Sequence, residues 1–241
     1  MSVGEPTSEK LVQDYSSKWY QRRYSGTGFL YHSRIVTQML EGIKFRDGKH
    51  SDKVLDVGCG TGFVSMLYPN FDITGVDISD GMLAHNPHKW IKAPAEQLPF
   101  PDNHFDFVVC RSLLHHLDEP MAGLSEMYRV LKPGGKFMCW DPHHGFLYNI
   151  IRRLFQRTDR FSHLHTSFNA KALCYLIEES GLRVTQKRHI GYLAYPLLGF
   201  PDIVNFHIPL WLGRWIIKLD DLISQTPLRK LSWSLMIRGT K

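Results

Sequence analysis

The stretch V-L-D-V-G-C-G-T-G, from Val54 to Gly62, carries the strongest structural signal in this sequence. Residues suited to a buried strand run directly into three glycines spaced two residues apart, Gly58, Gly60 and Gly62. Glycine adopts backbone angles that other residues avoid, and it lets a second molecule come close to the main chain. A strand, a glycine turn and a helix form the nucleotide-binding end of doubly wound sheets. The stretch therefore predicts a ligand site at the carboxyl edge of a sheet, although several ligands share that geometry.

The composition is that of a globular protein with a substantial core. The chain has 241 residues, 43% of them hydrophobic, and a formal net charge of +6. That charge permits a nucleic acid or an anionic membrane as a partner but requires neither. The four cysteines lie far apart without a C-x-x-C pair, which favours reduced thiols and a cytoplasmic location. The polar start is followed by no apolar stretch of the kind found in signal peptides.

Candidate strands and helices alternate at intervals of roughly 20–30 residues, which is typical of a parallel sheet with helices on both faces. The sequence favours strands at residues 53–58, 72–77, 88–94, 105–110, 136–141, 182–190 and 233–241. It favours helices at residues 8–24, 29–44, 63–68, 79–85, 119–131 and 169–181, with Ser79 and Asn169 as caps and a turn over residues 132–135. The fold class expected is therefore α/β.

The pattern changes after Pro142. Residues 191–217 are apolar and aromatic but are interrupted by prolines, and no run reaches the roughly 18–20 apolar residues of a membrane span. We therefore expect a single domain, residues 1–241. Its parts are a helical cap over residues 1–48, a cofactor-binding core over residues 49–142, and substrate-covering insertions at residues 143–168 and 191–228.

The spacing after the first strand narrows the choice of ligand. It reads G-x-G-x-G, whereas a dinucleotide site reads G-x-G-x-x-G and a P-loop continues into a lysine. Asp77 closes the second strand, nineteen residues after Gly58. A carboxylate at that position can accept hydrogen bonds from both hydroxyls of a ribose. The pattern indicates a nucleoside-like ligand that needs no pyrophosphate.

Five sequence blocks in order resemble one family. They are V-L-D-V-G-C-G-T-G, G-V-D-I-S, A-P-A-E-Q-L-P-F-P-D-N-H-F-D-F-V-V, L-L-H-H-L and V-L-K-P-G-G-K-F. Over residues 50–141 the chain resembles the class I S-adenosylmethionine-dependent methyltransferases, in the branch of ubiquinone/menaquinone-type and small-molecule enzymes. The resemblance implies a Rossmann-like, doubly wound sheet of seven strands with an antiparallel last strand, lid helices at the N-terminus, and S-adenosyl-L-methionine as the cofactor.

The resemblance also implies roles for the residues of the glycine loop and of the next strand. Gly58, Gly60 and Gly62 would bring the backbone up to the methionine and ribose of the cofactor. Asp56 would anchor the loop and help to hold the methionine ammonium. Asp77 would accept hydrogen bonds from the ribose hydroxyls.

Further along the chain, the same resemblance implies the surroundings of the adenine. Ile78 and Met82 would flank the ring, and Ala95 and Glu96 would lie at its edge. Many relatives carry an aspartate before the Ala-Glu pair, whereas this chain has Pro94. Adenine recognition in this segment would therefore depend more on Glu96.

Methyl transfer requires an aligned acceptor and little covalent help from the protein. A hydroxyl acceptor benefits from a nearby base, and histidine is the usual one. His116 and His143 both follow predicted strand ends at the carboxyl edge, and His143 ranks first because it opens the variable insertion. His116 would also lie near the methionine end of the cofactor. The alternative is that the adjacent His115 and His116 merely close a strand end.

The acceptor is predicted from the segments that would cover the site. The cap and both insertions are rich in aromatic and aliphatic residues, and four arginines lie beside them at positions 152, 153, 157 and 160. Such walls suit a small or lipid-like, hydrophobic acceptor with an anionic part, and O-methylation is favoured. The same aromatics could instead close a small core.

Two other classes of function stay open. The positive charge suits an RNA or protein methyltransferase, although Cys110-Arg111-Ser112-Leu113 stands where such enzymes carry an N-P-P-Y-like tetrad. A non-catalytic S-adenosylmethionine-binding protein at a membrane surface is the second. Four histidines, His143, His144, His163 and His165, also raise the question of a metal site. Their spacing matches no ligand pattern, and no metal is expected.

A peripheral membrane contact is also considered. Aromatic and aliphatic residues cluster with two cations over residues 210–218: Leu210, Trp211, Arg214, Trp215, Ile216, Ile217 and Lys218. A short helix of this composition can lie at a membrane interface, with its cations toward anionic headgroups. The same residues could equally form one wall of an apolar acceptor pocket.

Overall fold

The computed structural model describes residues 25–40, 52–142, 168–199 and 208–241. Within these ranges, seven strands form one sheet in the order β3-β2-β1-β4-β5-β7-β6. The strands are β1 Lys53–Val57, β2 Asp72–Asp77, β3 Trp90–Lys92, β4 Phe105–Arg111, β5 Leu131–Pro142, β6 Arg183–Ile190 and β7 Ser234–Thr240. The helices are α1 Gly26–Leu40, α2 Phe63–Leu67, α3 Asp80–Leu83, α4 Pro120–Val130, α5 Ala170–Glu179 and α6 Leu210–Ser224.

Strand directions confirm the predicted class I methyltransferase topology. β1 pairs in parallel with β2 and β4, β2 with β3, and β4 with β5. β7 is antiparallel to both β5 and β6. The chain winds outward from β1 in one direction and then returns to build β4 on its other side. Between β1 and β4 the carboxyl ends of the strands open a crevice, which is where doubly wound sheets bind their ligands.

Alternate residues of β1 face the two sides of the sheet. Leu55 packs in a buried cluster with Met127 of α4 and Ile177 of α5. Val54 packs in a second buried cluster with residues of α1 such as Ile35. The sheet is therefore covered on both faces, which explains why its central strands are almost continuously apolar.

The predicted helix starts at Ser79 and Asn169 are confirmed. The Ser79 side chain accepts a hydrogen bond from the N–H of Met82, so it caps α3. The Asn169 side chain accepts from the N–H groups of Lys171 and Ala172 and caps α5. Both side chains satisfy N–H groups that the first helical turn leaves without a partner.

Some boundaries differ from those expected. The second predicted helix begins at Gly26, inside a segment expected to be a break, and is described as far as Leu40. The turn expected over residues 132–135 is a bulge inside β5: Phe105 pairs with Leu131 and Phe107 with Lys136. The predicted helix at residues 8–24 and the insertion at residues 143–168 lie almost wholly outside the described ranges.

Helical elements lie between β6 and β7 in the described residues. A short π-helical turn, Tyr195–Gly199, follows β6, and the fifteen-residue helix α6 precedes β7. In the parts of the chain that the structure describes, no helix is both long and apolar enough to cross a membrane.

Candidate functional site

The glycine loop between β1 and α2 owes its three glycines to backbone angles. Gly58, Gly60 and Gly62 have φ values of +74°, +51° and +80°, in the left-handed region. A side chain at Gly58 would come within 2.9 Å of Leu113, and one at Gly62 would overlap Asn86. Only Gly60 faces open space, with its nearest neighbour 3.9 Å away. Protein packing adds to this requirement at Gly58 and Gly62, whereas the space beside Gly60 is open to a ligand.

Asp77 ties this loop to the end of β2. Its Oδ2 atom accepts a 2.8 Å hydrogen bond from the N–H of Gly60, and its Oδ1 atom accepts a 2.9 Å bond from the N–H of Ser79. Charge-assisted bonds of this kind are stronger than neutral ones. The carboxylate is therefore held at the mouth of the crevice, between the glycine loop and the start of α3.

Asp56 is a buried carboxyl group next to the loop, with 1% of its surface exposed. Its Oδ2 atom has no hydrogen-bond partner among the described residues. Burial raises the pKa of Asp56 from 3.8 to about 7; the charge of Arg111 lowers this pKa and the charge of Asp77 raises it. Buried polar atoms in native proteins almost always have a partner, so this oxygen suits a cationic group of a ligand.

A cavity of about 370 Å³ lies at the carboxyl ends of β1, β2, β4 and β5. Eight of the predicted site residues line it: Gly58, Gly60, Asp77, Ile78, Met82, Ala95, Glu96 and His116. Asp56 and Gly62 lie just outside its wall. His143 lies outside the described residues. The structure thus brings together, in one cavity, residues that are spread over nearly sixty positions of the sequence.

At one end of the cavity, apolar side chains form a slot. Ile78 is 37% exposed, so its side chain is accessible to a ligand, whereas Met82 is buried and held by its neighbours. Pro94, Ala95 and Glu96 line the cavity from the segment that follows β3. Pro94 adds an apolar ring and no hydrogen-bonding side chain, whereas Glu96 adds a partly exposed carboxylate. This end suits a flat heterocycle with one polar edge.

The other end of the cavity is aromatic, and most of it was not predicted. His32 of α1, Trp140 of β5 and Tyr195 of the π-helical turn line it. The rings of Trp140 and Tyr195 lie 5.6 Å apart, edge to face. The Nε1 atom of Trp140 is buried and has no hydrogen-bond partner in the described part of the chain. This end can therefore receive an apolar molecule and donate one hydrogen bond to it.

Arg111 lies between the two ends, at the carboxyl end of β4. Its guanidinium carbon is 5.1 Å from the centre of the Phe63 ring, a cation–π distance. One of its nitrogens is 3.4 Å from Nδ1 of His32. Arg111 was not predicted as a site residue. The signal for it was its position directly after a predicted strand, at the carboxyl edge of the sheet, close to the predicted His116. No local signal pointed to His32, because it arrives by packing from α1.

The two adjacent histidines have different surroundings. His115 Nδ1 lies 2.7 Å from Oδ1 of the fully buried Asp141, whose Oδ2 accepts from the N–H groups of Leu113 and Leu114. His115 thus closes a strand end, as the alternative interpretation expected. His116 instead lines the cavity, and the two rings are 3.9 Å apart. The contact between the rings fixes His116 against a rigid neighbour.

Cys59 lines the cavity beside the glycine loop. Burial raises the pKa of the Cys59 thiol well above its ordinary value, so the side chain is neutral and a poor nucleophile. Among the described residues there is no cluster of three or more histidines, cysteines and acids that could hold a metal ion. His143, His144, His163 and His165 lie outside these residues.

Residues 55–139 match the model of a family described as a methyltransferase domain. They run from β1 to β5 and contain the glycine loop, Asp77 and His116. Residues 55–139 are a methyltransferase domain. The resemblance predicted from the sequence blocks is confirmed, and the cofactor of this methyltransferase domain is S-adenosyl-L-methionine.

Relatives and solved structures agree with this assignment. The chain is 36% identical to a demethylmenaquinone methyltransferase of Symbiobacterium thermophilum, over 57% of this chain and 58% of that one. It is 36% identical to the ubiquinone/menaquinone biosynthesis C-methyltransferase UbiE of Desulfotalea psychrophila, over 43% of this chain and 48% of that one. The chain therefore spans only about half the length of these two curated relatives.

One solved structure shares the fold over nearly the whole chain. It is a Thermotoga maritima protein described as an S-adenosylmethionine-dependent methyltransferase and possible histamine N-methyltransferase. Its TM-score is 0.65 at 21% sequence identity, and the match covers 96% of this chain and 99% of that one. The similarity at this identity concerns the fold and extends beyond β5 to the C-terminal strands.

The residues of the methyltransferase domain fit the cofactor. Gly60 offers open space beside its backbone, and Asp77 stands beside it at the end of β2. The Asp56 oxygen that lacks a partner among the described residues suits the methionine ammonium. The apolar slot at Ile78 and Met82 suits the adenine ring.

Proposed function

We propose that this chain transfers the methyl group of S-adenosyl-L-methionine to a small, hydrophobic acceptor, with an oxygen atom as the favoured site of methylation. The observation that carries the proposal is the cavity itself. Its cofactor end, at Gly60 and Asp77, and its aromatic end, at Trp140 and Tyr195, belong to one cavity. An acceptor bound at the aromatic end would therefore lie beside the methionine end of the cofactor.

The cofactor supplies an electrophilic methyl group when it is bound. In the proposed mechanism the protein holds the two molecules in line and excludes water from between them. Gly60 and Asp77 orient the cofactor, and Trp140 and Tyr195 form the wall against which the acceptor lies. Asp56 lies behind the glycine loop, where its buried oxygen would attract the methionine ammonium. Alignment of the two reacting molecules supplies much of the rate enhancement in a reaction of this kind.

His116 is the proposed base for a hydroxyl acceptor. It lines the cavity between the two ends, and an imidazole nitrogen can take the proton from the acceptor oxygen as that oxygen attacks. His115 and Asp141 position it: the buried 2.7 Å contact between them fixes His115, and the His115 ring lies against His116. His143 is a second proposed base, from sequence reasoning alone.

The surroundings favour a small molecule over a macromolecule. The aromatic end is formed by buried side chains, with Trp140 1% and Tyr195 6% exposed. To reach them, a nucleobase would have to flip out of its stack, and a protein side chain would have to project far from its own surface. Both have an energetic cost that a free apolar molecule does not have. Transfer to RNA or to a protein is kept as an outcome of the test below.

Carbon is a second candidate for the methylated atom. Both curated relatives carry the names of quinone methyltransferases, and one is named a C-methyltransferase. A hydroxyl that loses its proton makes the carbon next to it on an aromatic ring nucleophilic, so the same base would serve both reactions. The identity of the product distinguishes the two.

The experiment is a transfer assay with labelled S-adenosylmethionine. The acceptors are phenolic small molecules, a lipid extract and tRNA, and Asp77→Ala serves as the control for cofactor binding. We expect label in organic-soluble products with the wild type and little with Asp77→Ala, and the position of the methyl group follows from NMR of the product. Label in tRNA alone would contradict the proposed acceptor. Cofactor binding without transfer to any acceptor would favour a non-catalytic binding protein.

A further inference from the structure

Helix α6 is apolar on two opposite sides. Its inner side packs into the protein: Ile217 is 6% exposed, and Gly213 lies against Thr27 and Leu30 of α1. Its outer side also carries large apolar residues, which are exposed to solvent by 64%, 63%, 47% and 60%: Trp211, Trp215, Leu219 and Leu222. We call these four residues the outer stripe. A surface helix ordinarily has a polar outer face, so this stripe requires an explanation.

The geometry of the helix makes the outer stripe continuous. At about 100° per residue, its four members fall within an arc of about 80°, opposite to Gly213 and Ile217. The two indole rings alone expose roughly 200–300 Å². Exposed apolar patches of a few hundred Å² mark interaction sites more often than chance contacts.

The exposed charge beside the outer stripe is positive. Arg214 and Lys218 are exposed on one flank, and the Lys218 ammonium lies 4.9 Å from the centre of the Trp215 ring. Both acids of the helix are engaged within the protein, although Asp221 lies on the same flank as Arg214. Asp220 is buried and accepts from the N–H groups of residues 191–194, and Asp221 pairs with Arg34 of α1.

An open groove of about 740 Å³ adjoins the same flank, between α1 and α6. Its lining includes the apolar Leu30 and Trp211 and the cations Arg214 and Lys218. Arg34 also lines it, with its charge paired with Asp221. A groove with this lining suits an anionic headgroup that continues into an apolar tail. The groove and the outer stripe therefore present the same chemistry on one side of the protein.

We propose that α6 lies flat on an anionic lipid bilayer, with the outer stripe inserted among the acyl chains and Arg214 and Lys218 at the headgroups. Tryptophan favours the membrane interface because its ring is apolar and its N–H is polar. Arginine and lysine can bury their stems and keep their charges at the phosphates. The inference concerns a surface separate from the cavity, so it stands or falls independently of the proposed reaction.

The bilayer contact would also bring the cavity near the membrane. Asp220 of α6 holds the backbone of residues 191–194, and Tyr195, the next residue, lines the aromatic end of the cavity. A helix resting on the bilayer would thus be braced directly against the wall of the proposed acceptor site.

The test is flotation of the full chain with lipid vesicles. One set of vesicles contains phosphatidylcholine alone, and the other contains phosphatidylcholine and phosphatidylglycerol in equal amounts. The variants are Trp211→Ser/Trp215→Ser and Arg214→Glu/Lys218→Glu. Tyr175→Ser is the matched control, because Tyr175 is an aromatic residue 60% exposed on another helix, α5. Thermal unfolding and sedimentation without vesicles check folding and oligomeric state.

We expect the wild type and Tyr175→Ser to float with the anionic vesicles, less so at high salt. Loss of the two indoles should reduce binding at least about tenfold, and each charge reversal should reduce it at least about fivefold. Three results would overturn the inference: no flotation of the wild type, flotation that both double variants retain, or a wild-type dimer that Trp211→Ser/Trp215→Ser dissociates without any vesicle binding. The last result would assign the outer stripe to a second copy of the chain.

Discussion

The backbone N–H of Gly60 donates a 2.8 Å hydrogen bond to the Oδ2 atom of Asp77, seventeen residues further along the chain. This bond joins the loop after β1 to the end of β2, in the wall of the cavity in which the cofactor would lie. The same carboxylate accepts from Ser79 at the start of α3. The cofactor end of the cavity is therefore organised around one side chain, and this arrangement leads to the first prediction.

Replacement of Asp77 by alanine should weaken S-adenosylmethionine binding by roughly 1–3 kcal/mol, because it leaves polar groups of the loop and of the ligand without partners. Isothermal titration calorimetry measures the change. Asp72→Ala is the control: Asp72 lies at the other end of β2, in an exposed ion pair with Lys89, and its loss should leave affinity unchanged. Equal affinities for all three proteins would contradict the role of Asp77.

Replacement of Gly60 by alanine should abolish most cofactor binding. Both Gly60 and Gly134 have positive φ angles, +51° and +74°, and at neither would a methyl group meet an atom closer than 3.9 Å. Alanine at either position should therefore cost about 1–2 kcal/mol of stability through backbone strain. Only Gly60 faces the cavity, so calorimetry should show loss of affinity for Gly60→Ala alone. A comparable loss in Gly134→Ala would attribute the effect to strain.

The buried Asp56 should make stability depend on pH. Its pKa is 3.8 ordinarily and about 7 in the folded protein, chiefly because of burial. Between these two values the native state holds a proton that the unfolded chain has released. The free energy of unfolding should therefore fall as the pH rises through this window, by about 1.4 kcal/mol per pH unit.

The comparison that isolates this effect is Asp56→Asn, which keeps the shape and removes the titration. Urea unfolding without cofactor, followed from about pH 5 to pH 8, should show a flatter profile for Asp56→Asn and a relative gain in stability at the alkaline end. Parallel profiles for the two proteins would contradict a raised pKa of Asp56 in the folded protein.

His116→Ala should lower the rate of methyl transfer roughly 10²–10⁴-fold if His116 is the base, with cofactor affinity little changed. The reason is that His116 would act on the acceptor proton and contribute little to holding the nucleoside. His104→Ala is the control, because His104 lies at the opposite end of β4, where it contacts Lys53. Full activity in His116→Ala would transfer the role to His143 or to no residue.

Local signals account for what the sequence predicted correctly. The caps at Ser79 and Asn169 depend on bonds to residues two or three positions away, and the central strands are short apolar runs. Local signals could not show which neighbours require glycine at positions 58 and 62. Each of them is set by a side chain from another element, Leu113 and Asn86, which packs against the loop only in the folded protein.

The aromatic end of the cavity could not be predicted for the same physical reason. Arg111 and His32 are 79 residues apart in the sequence and meet because α1 packs across the sheet. Trp140 reads as an ordinary residue of a buried strand, and only its contact with Tyr195 after β6 shows that it closes a cavity. Sites of this kind depend on tertiary packing, whereas the glycine loop and Asp77 belong to one strand-loop-helix unit and its neighbouring strand.

Calorimetric titration of the wild-type protein with S-adenosylmethionine, and in parallel with NAD, tests the identity of the cofactor most directly. The glycine loop, Asp77 and the orphaned oxygen of Asp56 together predict saturable binding of S-adenosylmethionine at one site per chain. They predict no measurable binding of NAD, because the G-x-G-x-G loop is not spaced for a pyrophosphate. Binding of NAD, or the absence of S-adenosylmethionine binding to the folded protein, would contradict the account.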